Sequence, residues 1–158
     1  MHDTIEIEQK VLALIIAEPN LYYEYNDRLY TELFSDIQHK LVFEKTTEIY
    51  KDGDVPDIIK LSKKLQWTCK EMSDLVDIVD IGFNYIDIDF AISTLKEAAD
   101  LRRLNSLTLN MHSRIQENLS TEKITSFLED ELNKIRQDHK DTTPTFQALL
   151  NDTLEDIT

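Results

Sequence analysis

Disulfides, glycine-rich loops and a basic surface are all missing from this chain. A single cysteine, Cys69, stands among 158 residues. It excludes an internal disulfide and any zinc site built on several cysteines, and it suits a reducing compartment. Cys69 reads as a small hydrophobe rather than a nucleophile. Two glycines and three prolines are too few for a turn-rich β fold and favour long helices. No apolar run approaches the roughly 20 residues that a membrane-spanning helix needs. Glu6 and Glu8 stand where a signal peptide would carry basic residues. A soluble, cytoplasmic protein is the expectation. Lysine and arginine are outnumbered 17 to 31 by aspartate and glutamate, for a net charge of -14. Phosphate backbones attract basic surfaces, so a direct grip on DNA or RNA is not expected. The acidity fits protein contact or plain solubility.

What is present is a globular composition, 41% hydrophobic and 30% charged, in a chain long enough for one domain with an appendage. The opening IEIEQKVLALIIAEP begins like a strand, alternating apolar and acidic residues. Val11, Leu12, Ile15 and Ile16 then follow the three-four spacing of a helix, which Ile5 and Glu8 extend backwards. Asp3 or Thr4 can cap this helix and Pro19 ends it. A tyrosine-rich second helix fits Leu21 to Leu29. A third starts near Ser35 or Asp36, with Ser35 as the expected cap, and stops at Gly53. Asp57 caps a fourth through Ile58, Leu61 and Leu65, and a fifth covers Glu71 to Asp80, ending at Gly82.

From Asp87 onward no glycine or proline occurs before Pro144. Residues 88–118 read as one long helix, in which Leu101, Leu104, Thr108, Met111 and Ile115 step three, four, three, four, close to a heptad seam. Leu119-Ser120-Thr121 breaks it. Ser120 or Thr121 then caps a partner helix with Ile124, Phe127, Leu128, Leu132 and Ile135 on one face. Two such helices make a hairpin, and a second copy of the chain is the simplest partner for its apolar seam. RQDHKDTTPT reads as a linker, and FQALLNDTLEDIT as a final amphipathic helix. Such a helix is marginal alone in water and calls for a docking surface, so the chain is expected to be part of something longer. The expected organisation is all-α: a globular helical subdomain over 1–86, a hairpin over 87–138, a linker over 139–144 and a linker helix over 145–158. The expected core includes Val11, Leu12, Ile15, Phe34, His39 and Phe43.

Chemistry is sparse. Phosphate-cradling loops need clustered glycines, and Gly53 and Gly82 stand apart, so no ATP site is expected in this chain. Asp36 and His39, three apart, match half of a carboxylate-bridged metal site, but such sites need two such pairs and several inward glutamates. His112 with Glu117 and His139 with Asp138 have the wrong spacing or lie near the linker. His39 is better read as a core histidine packed on Phe34 and Phe43 and bonded to a backbone carbonyl. Tyr22, Tyr23, Tyr25 and Tyr30 have too few basic neighbours for nucleic-acid stacking and point to core or interface. No catalytic, cofactor or metal-binding residue is assigned.

The order of these features resembles the N-terminal domain, with linker helix, of DnaB-type replicative helicases. Ile5, Glu6, Glu8, Gln9, Val11 and Leu12 fit that family's first-helix pattern. Phe34, four residues, His39 and then Val42-Phe43 resemble its F-x(4)-H-x(2)-[IV]-F. Gly53, Asp57, the Leu61/Leu65 pair, and Glu97 with Arg102 occupy further matching positions. Two departures stand out: Val55-Pro56-Asp57 replaces Pro-hydrophobic-Asp, and the paired glycines before the fifth helix are missing around Thr68 to Met72. The resemblance implies a non-catalytic collar on a hexameric helicase, assembled as a trimer of dimers through helical hairpins. Primase is the implied partner, with a helicase loader as another, and ATP and magnesium belong to a motor domain outside this chain. Subunit pairing would then fall to Leu101, Leu104, Met111, Ile115, Ile124, Phe127, Leu128 and Ile135. Docking of the linker helix on a motor domain would fall to Phe146, Leu149, Leu150 and Leu154. The rival readings are the helicase-binding C-terminal domain of a primase, which is similar in helical design, and a helical interaction domain of unrelated role.

Overall fold

The computed structural model describes residues 4–81 and 86–140. Among these no strand occurs. Seven α-helices follow in order: α1 Thr4–Ala17, α2 Pro19–Tyr25, α3 Ile37–Lys51, α4 Ile58–Leu65, α5 Cys69–Ile81, α6 Ile88–Gln116 and α7 Thr121–Lys140, with a 3-10 turn at Thr31–Leu33. The all-α class is as expected. The expectations for Gly82, for the segment from residue 141 and for Phe146, Leu149, Leu150 and Leu154 lie outside the described residues.

Helix boundaries follow local chemistry. Pro19 forces Glu18 out of helical geometry (φ -121°, ψ 89°). It then serves as the first residue of α2, where its missing N–H costs nothing. The second helix therefore starts at Pro19 and ends at Tyr25, earlier at both ends than expected. Asp36, not Ser35, caps α3. Its carboxylate accepts from the N–H of Gln38 at 2.8 Å and of His39 at 3.1 Å. Ser35 is engaged elsewhere. Gly53 takes a left-handed conformation, at φ 77°. It closes α3 in a Schellman turn, with its N–H on the Tyr50 carbonyl and that of Asp54 on the Ile49 carbonyl. Asp57 caps α4 as expected. Helix α5 begins at Cys69 rather than Glu71, because the Glu71 carboxylate reaches back to the Thr68 N–H and hydroxyl, at 2.8 and 2.9 Å. Such a reach-back satisfies donors that the first helical turn would otherwise leave unpaired.

The long helix α6 also ends in a Schellman turn. Asn118 takes the left-handed conformation, at φ 54°. Its N–H bonds the Ile115 carbonyl, and the Leu119 N–H bonds that of Arg114. Asn118, which apolar spacing does not mark, is thus the residue that turns the hairpin. Ser120 accepts from the Lys123 N–H to open α7. That helix runs through Lys140, so residues 139 and 140, expected as linker, are helical.

The chain divides into two compact units, with the division between Ala99 and Asp100, inside α6. In the first unit α1 packs on α2, α3 and α5, and α4 joins α3 to α5. Val11, Leu12, Ile15, Leu33, Phe34, Leu61, Leu75 and Ile92 are fully or almost fully buried. The opening turns of α6 contribute Ile88, Ala91, Ile92 and Leu95 to the same core, so the globular unit extends beyond residue 86. The second unit holds the remainder of α6 and α7.

Candidate protein-interaction surfaces

Within the second unit, two contacts fix how the hairpin arms meet. Arg114 lies over the Phe127 ring, 3.8 Å from its centroid, and Arg103 binds Asp138 at 2.7 Å. Eleven positions separate the two arginines and eleven separate their partners, so both contacts share one antiparallel register. Leu107 and Ile135 are buried, at 8% and 7% exposure. Met111, Ile124, Phe127, Leu128 and Leu132 are half-buried. Ile124, Phe127, Leu128 and Ile135 lie at helical spacing on the arm face that carries the Phe127 contact. This half of the expected seam is therefore used inside the hairpin.

The α6 half behaves differently. Leu101 is 58% exposed, Leu104 37% and Ile115 58%. At about 100° per residue these three fall on one stripe with Thr108, about a quarter turn from the face that carries Leu107 and Arg114. Met111 lies between the two faces. Leu109, outside the three-four pattern, is also exposed at 65% but sits on the far side of the helix. One continuous seam was expected; the structure has a closed inner seam and an open apolar stripe beside it.

In the first unit, two of the residues that carry the family resemblance, Glu8 and His39, meet in a buried polar knot. Glu8 is fully buried although it sits on an apolar helix. Its carboxylate accepts from the Ser35 N–H and hydroxyl, each at 2.7 Å, and from the Asp36 N–H at 3.4 Å, and it meets His39 Nδ1 at 2.7 Å. Burial alone would push the Glu8 carboxyl up. The bonds from His39, Ser35 and Asp36 outweigh burial and hold it below the ordinary carboxylate range. His39 thus bonds a glutamate and not the expected backbone carbonyl, because a buried carboxylate 31 positions earlier in the chain needs a donor more than a carbonyl does. With Asp36 committed to its cap and His39 to Glu8, that pair has no arrangement for a metal. Among the described residues no group of three or more potential ligands gathers elsewhere. Val11, Leu12, Ile15, Phe34 and Phe43 are buried around the knot, and the Phe34 and Phe43 rings lie 5.0 Å apart.

The tyrosines separate. Tyr22 is buried and stacks on Tyr50, with centroids 4.0 Å apart and planes 8° apart, and Tyr23 meets Tyr50 edge-on at 5.5 Å. Tyr50 donates to the Ile15 carbonyl, and burial pushes its phenol up to about 12. Tyr25 instead donates to Asp89, which also pairs with Arg28. No described helix is long and apolar enough to cross a membrane.

The described chain is thus all-α, with a buried polar knot in one unit and an antiparallel two-helix arm in the other. The profile of the DnaB-like helicase N terminal domain family matches residues 1–97, more than half of the chain, and the chain belongs to that family. Its fold is similar to that in the crystal structure of the N-terminal domain of DnaB helicase from Mycobacterium tuberculosis. The TM-score is 0.71 at 16% identity, over 82% of this chain and 96% of that one. No curated protein sequence matches the chain. The domain is a non-catalytic part of a helicase and is distinct from the motor.

Proposed function

We propose that this chain is the collar domain of a replicative DNA helicase, pairing subunits through its hairpin and offering the paired hairpins to primase during replication. The open stripe of Leu101, Leu104 and Ile115 carries this reading. An exposed row of large aliphatic residues at helical spacing, beside a seam already closed, is surface suited to a second helical arm. Two copies related by a two-fold axis would lay stripe on stripe, and Met111 at the stripe's edge would join them. Ile124, Phe127, Leu128 and Ile135 act one step back, by holding the arm rigid. A trimer of such dimers would form the hexameric collar, with a helicase loader as a further partner. Phe146, Leu149, Leu150 and Leu154 would dock as a linker helix on the motor domain of a neighbouring subunit, which supplies the ATP and magnesium chemistry.

Sedimentation of the chain with Leu101→Lys and Leu104→Lys together tests the pairing. The expected result is a shift to monomer with an unchanged helical spectrum. An unchanged oligomer, or a wild-type chain that is monomeric throughout, overturns it. Leu128→Lys, placed in the closed seam, is expected to lower helicity as well. Co-sedimentation with the helicase-binding domain of a primase, lost in the Leu101/Leu104 variant, tests the docking step.

A further inference from the structure

The open stripe of α6 has an internal order that pairing by itself does not require. Thr108 stands exposed at its middle. Leu101 lies seven positions before it and Ile115 seven after; Leu104 lies four before and Met111 three after. Resting on the pairing proposed above, we infer that a second copy lays its own α6 stripe antiparallel on this one, with the two-fold axis at Thr108.

A two-fold interface must match itself, because every contact is made twice with the roles exchanged. Antiparallel helices meet that demand only where their apolar positions reflect about one point. With the axis at Thr108, Leu101 falls opposite the partner's Ile115, Leu104 opposite the partner's Met111, and Thr108 opposite its own copy. Neighbouring axes fail. Two positions earlier, the axis sets Ile115 against Glu97. At Met111, it sets Leu101 against Thr121, past the left-handed turn at Asn118. The first desolvates a carboxylate beside an isoleucine, and the second leaves a leucine uncovered.

The chemistry at the axis agrees. Thr108 is the polar residue in an apolar row, and a residue at a two-fold meets itself. Its hydroxyl already donates to the Leu104 carbonyl at 3.0 Å. It therefore needs no bond from the partner, and covering it strands no donor. His112 and Gln116, whose side chains meet at 3.1 Å, form a polar edge beside the stripe.

Charge and dipole set the direction. Glu97 is exposed one turn before Leu101, on the same side of α6. A parallel pair would hold the two Glu97 carboxylates at one level and bring like ends of the helix dipoles together. The antiparallel pair separates those carboxylates by about 33 Å along the helix and opposes the dipoles.

Disulfide trapping tests the register, in a Cys69→Ser background that removes the chain's one cysteine. Thr108→Cys is expected to give a disulfide-linked dimer on mild oxidation, since two copies at the axis lie within the roughly 7 Å between Cα atoms that a disulfide tolerates. Leu101→Cys alone, and Ile115→Cys alone, should link at least about tenfold more slowly, because each cysteine then lies about 21 Å along the helix from its copy. Mixed in equal amounts, those two variants should link to each other as fast as Thr108→Cys links to itself. Leu104→Cys mixed with Met111→Cys reads the same register a second time. Only variants that sediment like the wild type when reduced are scored, so a lost pairing is not taken for a wrong register. The inference falls if Leu101→Cys links to itself as fast as Thr108→Cys, which marks a parallel pair, or if Thr108→Cys stays unlinked while the chain sediments as a dimer. A wild-type chain that is monomeric throughout overturns pairing and register together. A dimer that the Leu101→Lys and Leu104→Lys changes dissolve, but that traps in parallel, overturns the register alone.

Discussion

The globular unit and the hairpin solve the same problem, hiding apolar helix faces, with different completeness. In the first unit α1 is covered by α2, α3 and α5, and Val11, Leu12 and Ile15 have no exposure left. Such a core can hold even a carboxylate, because enough elements converge to bring Glu8 its donors. In the hairpin, among the described residues, two helices meet. Two helices can close one seam, and Leu107 and Ile135 occupy it, but they cannot cover a second stripe a quarter turn away. The incomplete burial of the arm is a consequence of having fewer walls.

Substitutions in each unit put that contrast at risk. The largest effect is expected at Glu8. Glu8→Ala strands the His39 ring and the Ser35 donors in the core and should cost about 4 kcal/mol in denaturant unfolding. If the cost is under about 1 kcal/mol, the knot is not a central element of the globular unit. Acid should act on the same group. Its carboxyl lies below its ordinary value of 4.5 in the folded chain. Its stabilisation is therefore complete above that value and is lost as pH falls through the lowered one. The stability gap between wild type and Glu8→Gln should be widest near neutrality and shrink below pH 4.5.

A matched pair of cavities comes next. Leu12→Ala in the closed core should cost about 3 kcal/mol, and Ile135→Ala in the two-walled seam about 2 kcal/mol, because the hairpin can collapse around the loss. Hydrogen exchange resolved by residue would place each loss in its own unit, and equal costs would erase the proposed difference. The smallest effect belongs to Arg103→Ala, whose bond to Asp138 is exposed to solvent. Removing it should change stability by no more than about 0.5 kcal/mol. Thermal melts at low and moderate salt would show the change.

Much of this architecture was legible in the chain. Scarcity of glycine and proline, three-four apolar spacing and short-range capping chemistry located every described helix. Asp57 and Gly53 act where their side-chain or backbone preferences alone would put them. The departures are also local in origin. Ser35 and Asp36 are both good caps, and only the demand of Glu8 for two donors from Ser35 leaves the cap to Asp36. Asn118 is hard to foresee because asparagine is a weaker left-handed signal than glycine.

The helices, some of their ends and the family could be read from the order of residues, since these rest on periodicity, backbone preference and short ordered motifs. That Glu8 and His39 share one buried bond, and that the hairpin's apolar residues divide into a closed seam and an open stripe, came only with the folded chain. Periodicity states that a residue lies on an apolar face. How much of that face is covered depends on how many other helices arrive there, and that number is set by the packing of the whole chain.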